Sequence, residues 1–147
     1  MAEQANNRWL TFLLIAVAAV VGGGIVFGLY VASVSLDAER THHADILVLE
    51  SLTDFVRETG RWPKDWNELA TFTPSGEGMY RLQSDLTEIR SRVFVDFSVT
   101  TADVGAMDVD GFSVVKPIGP NYGPNESRVR ELIEAARRHS KTEDQDR

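Results

Sequence analysis

The chain contains no cysteine. That removes disulfide staples, thiolate nucleophiles and cysteine-ligated zinc or iron–sulfur centres, and it leaves the redox compartment open. Histidine is scarce, with three in the whole sequence, at His42, His43 and His139. Charge is missing from one long stretch: no Asp, Glu, Lys or Arg interrupts Trp9 to Val34, and Glu3 and Arg8 are the only charged side chains before it. Glycine and proline are absent between Asp37 and Thr59. The GxSxG, HExxH, phosphate-loop and GxGxxG signatures are missing as well, so no common nucleophile, zinc or nucleotide motif points to catalysis. The three histidines lie on a membrane-proximal helix and near a frayed terminus, neither of which resembles an enclosed site. The reading is a non-enzyme with no cofactor and no metal.

What is present divides the chain into a short flank (1–8), an apolar segment (9–34), a domain (35–139) and a polar tail (140–147) expected to be disordered. A helix over Trp9–Val34 is about 39 Å long, enough to cross a hydrocarbon core of about 30 Å. A cleaved signal peptide has a shorter apolar core, so an uncleaved signal-anchor fits better. Arg8 with the amino terminus flanks one end, and Arg40 among acids flanks the other. The positive-inside bias therefore places the amino terminus in the cytoplasm and the domain outside, in a cell envelope. Gly24, Gly28 and Ala32 share one face of the span and form a small-residue surface for helix–helix contact, with a second copy or another membrane protein as partner. The net charge of −7 falls on the domain, which argues against nucleic acid and anionic headgroups as partners.

From Asp37 to Thr59 the pattern is helical, with Ile46, Leu49, Leu52, Phe55 and Val56 as an apolar stripe. Arg57, Gly60 and Pro63 mark its stop. Asp65 and Glu68 have capping-box spacing, which predicts a short helix from Asp65 to about Thr71. Trp62, Trp66, Leu69 and Phe72 then cover the end of the long helix. Trp62 and Trp66, with Tyr80, also form a candidate aromatic binding cluster, although packing at a helix turn explains tryptophans this close. His42 and Asp45 are three residues apart and share a face. The adjacent His42 and His43 diverge by about 100°, and no third ligand lies nearby, so a solvated helix is the simpler account.

A membrane-embedded helix continuing into an amphipathic half, then Gly60-Arg61-Trp62-Pro63, then a short helix ending in Glu68-Leu69, resembles the type IV pilin-like proteins. The pseudopilins of type II secretion, with their G-R-Y-P turn, are the nearest in pattern. The resemblance covers residues 9–72 and implies an antiparallel sheet packed on the exposed half of the long helix. It departs at the start: Arg8-Trp9-Leu10-Thr11-Phe12 has no preceding glycine, and no acid enters the span, so it speaks to shape rather than to peptidase processing or filament assembly.

Beyond a loop at 73–78, Tyr80 and Leu82 suggest an edge strand. Alternation of Ile89, Ser91, Val93, Val95, Phe97 and Val99 with wetter neighbours predicts a long strand. A second strand is expected over Phe112–Lys116, and a short one over Ala106–Val109. Asp108-Val109-Asp110-Gly111 fails as a calcium loop, because Ala106 and Pro117 occupy the terminal ligand positions. Asp110-Gly111 reads instead as a tight hairpin turn. After a loop at 119–125, Asn125 caps a last helix with Val129, Leu132, Ile133 and Ala136 as its stripe, supported by Glu126/Arg130 and Glu134/Arg138 pairs. The expected fold is α+β: a long amino-terminal helix, membrane-spanning in its first half, packed on a small antiparallel sheet of three or four strands, with a carboxy-terminal helix. Three functions fit: a structural or interaction component of the envelope, a membrane-tethered ligand- or peptide-binding module, and a hydrolase with dispersed acids.

Overall fold

The computed structural model describes residues 2–75 and 86–145. The expected strand at Tyr80–Leu82 lies outside the described residues. In order the elements are α1 (Ala2–Thr59), α2 (Trp66–Thr71), α3 (Leu86–Arg92), β1 (Val93–Val95), α4 (Thr101–Ala106), a 3-10 turn (Val109–Gly111), β2 (Val115–Pro117) and α5 (Glu126–Gln145). The fold is α+β, with the long amino-terminal helix, an antiparallel sheet and the carboxy-terminal helix that the sequence leads one to expect. The chain separates after Leu36 into two units.

The first unit is the apolar part of α1. Its large side chains stand open, Phe12 at 70%, Val20 at 75% and Leu29 at 68% exposure. Each such side chain gains about 1.5–3 kcal/mol on moving from water to apolar surroundings. Among the described residues, α1 alone is long and apolar enough to cross a membrane. It is compatible with a membrane anchor.

The second unit starts at Asp37 and has one core. Ala38, Thr41, Ala44, Asp45, Val48, Leu49, Leu52, Phe55 and Val56 are buried along α1 at three- and four-residue steps. The buried face is turned slightly from the expected stripe, so that Ile46 lies at its half-buried margin. Thr41 and Thr53 enter the core because their hydroxyls donate back to the carbonyls of Asp37 and Leu49, leaving no buried donor unpaired. α1 ends as its sequence specifies: Gly60 takes φ +72° and donates its N–H to the Val56 carbonyl at 2.9 Å. Val129, Leu132, Ile133 and Ala136 of α5 are buried in the same cluster as α1. That helix continues to Gln145, past Ser140.

The sheet differs most from expectation. Among the described residues it has two strands, with Val93 opposite Pro117, Phe94 opposite Lys116 and Val95 opposite Val115. Of the long strand expected from Ile89 to Val99, Ile89 and Ser91 lie on α3, and only Val93–Val95 is extended. Buried positions four apart, Ile89 and Val93, satisfy a helical turn as well as a strand, so alternation alone could not separate them. Asp96 then ends the strand: its carboxylate accepts from the Ser98 N–H at 2.9 Å and from the Ser98 hydroxyl, an Asx-turn. The expected strand at Ala106–Val109 is replaced by the end of α4 and the start of the 3-10 turn. Thr100 and Asp103 close a full capping box on α4, a signal the strand reading passed over. Nor is Asp110-Gly111 a hairpin turn. It lies within the 3-10 turn, and among the described residues the glycines with positive φ are Gly60, Gly119 and Gly123.

Candidate functional site

The structure separates the residues that the sequence offers for contact or binding. On the apolar half of α1, Gly24, Gly28 and Ala32 are exposed, and a methyl built on either glycine would meet nothing within 4 Å. Successive residues four apart drift by about 40° around a helix, so the three share one face.

The aromatic cluster is mostly committed to packing. Trp62 is 7% exposed, and its indole N–H donates to the Asp96 carbonyl at 3.0 Å. Trp66 meets Phe97 edge-on at 5.5 Å, and Phe72 meets Phe55 at 5.0 Å. Arg61 lies over the Phe55 ring at 5.1 Å and pairs with Glu68. Tyr80 lies outside the described residues. The capping residue Asp65 accepts from the Glu68 N–H at 2.8 Å. Glu68, in turn, accepts from the Lys64 N–H rather than from that of its own cap. Hydrogen bonding from Arg61, then from Lys64, holds the Glu68 carboxyl down at about 2.

His42 and Asp45 both reach the loop between β2 and α5, through two asparagines. His42 Nδ1 is 3.1 Å from Asn121 Oδ1, and the His42 ring meets Tyr122 edge-on at 5.9 Å. Asp45 accepts from the Asn125 amide at 2.8 Å. Burial pushes the Asp45 carboxyl up, against the opposing pull of the Asn125 bond and of His42. Gly119 at φ +109° and Gly123 at φ +123° give the loop its path, which side chains with a Cβ rarely follow. Asn125 could be read from the sequence as a helix cap. Its bond to Asp45, eighty residues away, could not.

That loop forms one wall of an open groove of about 610 Å³. The volume falls in the range of small-ligand sites. Leu49, Phe112 and Val129 give the groove an apolar lining, and Asp45, Asp110 and Glu126 face a single cation, Lys116. β2 forms the opposite side through Val115 and Pro117. Its pairing with β1 uses Val114, Lys116 and Ile118, so the Val115 and Pro117 backbone groups point away from β1. An acidic surplus beside a strand edge suits an extended, cation-bearing segment. Among the described residues, no three His, Asp or Glu side chains are grouped to hold a metal ion. Asp108 instead precedes the 3-10 turn without a side-chain capping bond, and its carboxylate stands 3.7 Å from Arg137. No protein-family model, no curated protein and no solved structure matches this chain.

Proposed function

We propose that this protein is a single-pass, membrane-anchored interaction component whose small domain is displayed outside the cytoplasmic membrane and works without catalysis. The observation that carries this reading is the exposed, uncharged stretch of α1, whose large side chains gain free energy in lipid rather than in water. The open glycine face at Gly24, Gly28 and Ala32 supports association within the membrane, with a second copy or with another spanning helix. The order of long helix, Gly-Arg-Trp-Pro turn, short helix and antiparallel ribbon supports a pilin-like shape. The excess of negative charge supports a protein partner rather than nucleic acid.

The test is protease accessibility of a carboxy-terminal tag in intact cells. The tag stays with the membrane fraction and is removed by external protease once the outer layer is permeabilised. Protection of the tag under those conditions would put the domain in the cytoplasm and end the reading. A second reading, a membrane-tethered peptide-binding module, draws on the groove beside β2 rather than on Trp62 and Trp66. It is separated from the first by Asp110→Lys together with Glu126→Gln, which removes the acidic surplus of the groove. That pair abolishes capture of a groove-bound peptide and leaves association through α1 unchanged.

A further inference from the structure

Val115 and Pro117 stand opposite the buried Val95 and Val93, on the inner face of the ribbon. Their backbone groups turn away from β1, because Val114, Lys116 and Ile118 make the ladder. Among the described residues nothing pairs with the Val115 N–H, the Val115 carbonyl or the Pro117 carbonyl, and both residues line the groove. An unpaired strand edge is a template for one more strand. Its direction relative to α1 is set by two contacts. Arg92, just before β1, bonds to Asp37 at 2.7 Å and to Thr41 at 3.2 Å. Asp96, just after β1, takes the indole N–H of Trp62, which lies beyond the end of α1. β1 therefore follows the direction of α1 after Leu36, and β2 runs against it.

The groove also holds a carboxylate with one oxygen free. Asp45 is 4% exposed, lines the groove, and accepts from Asn125 through Oδ2. Its Oδ1 has no hydrogen-bond partner among the described residues. No buried side-chain oxygen there lacks one, so Oδ1 opens onto the groove. Asp110 and Glu126 are exposed at the same groove, and a buried carboxylate in acidic company calls for a cation. Leu49 lies one turn further along α1, a rise of about 6 Å, and alternate residues of a strand are about 6.7 Å apart on one face. We infer that the groove takes an extended peptide as a strand antiparallel to β2, with a Lys or Arg seated on Asp45 and an apolar residue two positions later seated on Leu49. This rests on the peptide-binding reading above and deepens it. Antiparallel pairing is the more stable kind, and a strand antiparallel to β2 passes Asp45 before Leu49, which sets the order basic-x-apolar. The two inward residues then stand opposite Pro117 and Val115. Their N–H groups reach those two carbonyls, while the N–H of the middle residue points away.

The test is fluorescence anisotropy of labelled pentapeptides titrated with the full chain in maltoside micelles. The probes are Thr-Arg-Thr-Val-Thr, its reverse Thr-Val-Thr-Arg-Thr, and the first peptide with Glu in place of Arg. Two further probes carry a backbone N-methyl group, one on the Val and one on the middle Thr. The expected result is saturable binding of the first peptide, at least tenfold tighter than its reverse or the Glu version. Methylation of the Val nitrogen abolishes binding, and methylation of the middle Thr leaves it within twofold. Asp45→Asn, which keeps an acceptor for Asn125, weakens the first peptide about tenfold. Equal binding in both orders, indifference to the Val N-methyl group, or indifference to Asp45→Asn would overturn the strand and its register. The peptide-binding reading would still stand if Asp110→Lys with Glu126→Gln abolished that binding. Arginine amide competing as tightly as the first peptide would assign the groove to a small cation and overturn the strand. No saturable binding by any probe would overturn both the strand and the peptide-binding reading.

Discussion

Leu52 is fully buried in the core, where α1 meets the sheet and α5. Replacing it with alanine removes the transfer free energy of the lost carbons and leaves a void that packed neighbours only partly fill. Fully buried leucines lose about 3–4 kcal/mol in this way, against a total of about 5–15 kcal/mol for a domain of this size. The corresponding fall in Tm is about 15 °C. The assay is thermal unfolding of the full chain in detergent micelles, followed by fluorescence on a Trp9→Phe background, so that Trp62 and Trp66 report the domain alone. Ile46→Ala is the internal comparison, because Ile46 belongs to the same helix but is only half-buried. It costs about 1 kcal/mol. If Leu52→Ala melts within about 1 kcal/mol of the parent, or if Ile46→Ala costs as much, α1 does not present the face to the core that its burial describes.

Gly105 is buried where α4 meets α5, and an added methyl would lie 3.1 Å from the Arg137 backbone nitrogen and 3.3 Å from the Ala136 carbonyl carbon. Backbone cannot yield as a side-chain tip does, so Gly105→Ala loses about 1–2 kcal/mol in chemical denaturation despite its better helix propensity. Gly111→Ala, in open space, serves as the silent control. Because the folded Glu68 carboxyl titrates at about 2 rather than 4.5, its contribution is present above about pH 4.5 and fades as the pH falls toward 2. The group is exposed, so Glu68→Gln costs under about 1 kcal/mol at pH 7 and much less at pH 2, where the folded carboxyl is already about half protonated; an equal cost at both would refute the assignment. Asp45 is raised, so the cost of its buried charge begins as the pH climbs through the ordinary value of 3.8 and is complete above its folded value. Asp45→Asn, which keeps an acceptor for Asn125, gains about 1 kcal/mol at pH 7 and loses that gain at pH 3, as read by paired melts.

The helices were legible because their signals are local. The Arg57–Gly60–Pro63 stop, the Asp65 cap and the spacing of Val129, Leu132, Ile133 and Ala136 each specify structure within a turn or two of chain, and the fold follows them. The middle of the domain was not legible in the same way. Ile89 to Val99 alternates as a strand does, yet Glu88 accepts from Arg92 at 3.1 Å across a helical turn, and Asp96 stops the ribbon with its own side chain. The groove was invisible for a different reason. Its polar contacts join Asp45 to Asn125 and His42 to Asn121, pairs about eighty residues apart, and no local rule carries that information.

The end of α1 has a bearing on how the chain is made. The Arg57 carbonyl faces the His139 ring at 3.1 Å, that ring also packs on Gly60, and Arg128 pairs with Glu50 at 2.8 Å. Helix α1 is thus covered by α5, which is synthesised after it. Leu49, Leu52 and Phe55 emerge early and have no finished partner until Val129 and Leu132 arrive. Through that interval the nascent domain carries a bare apolar stripe while its leading segment is already suited to lipid. Closure waits for α5, so long-range loop closure rather than helix formation sets the pace of folding. A chain cut before Asn125 would keep its anchor and lose its domain.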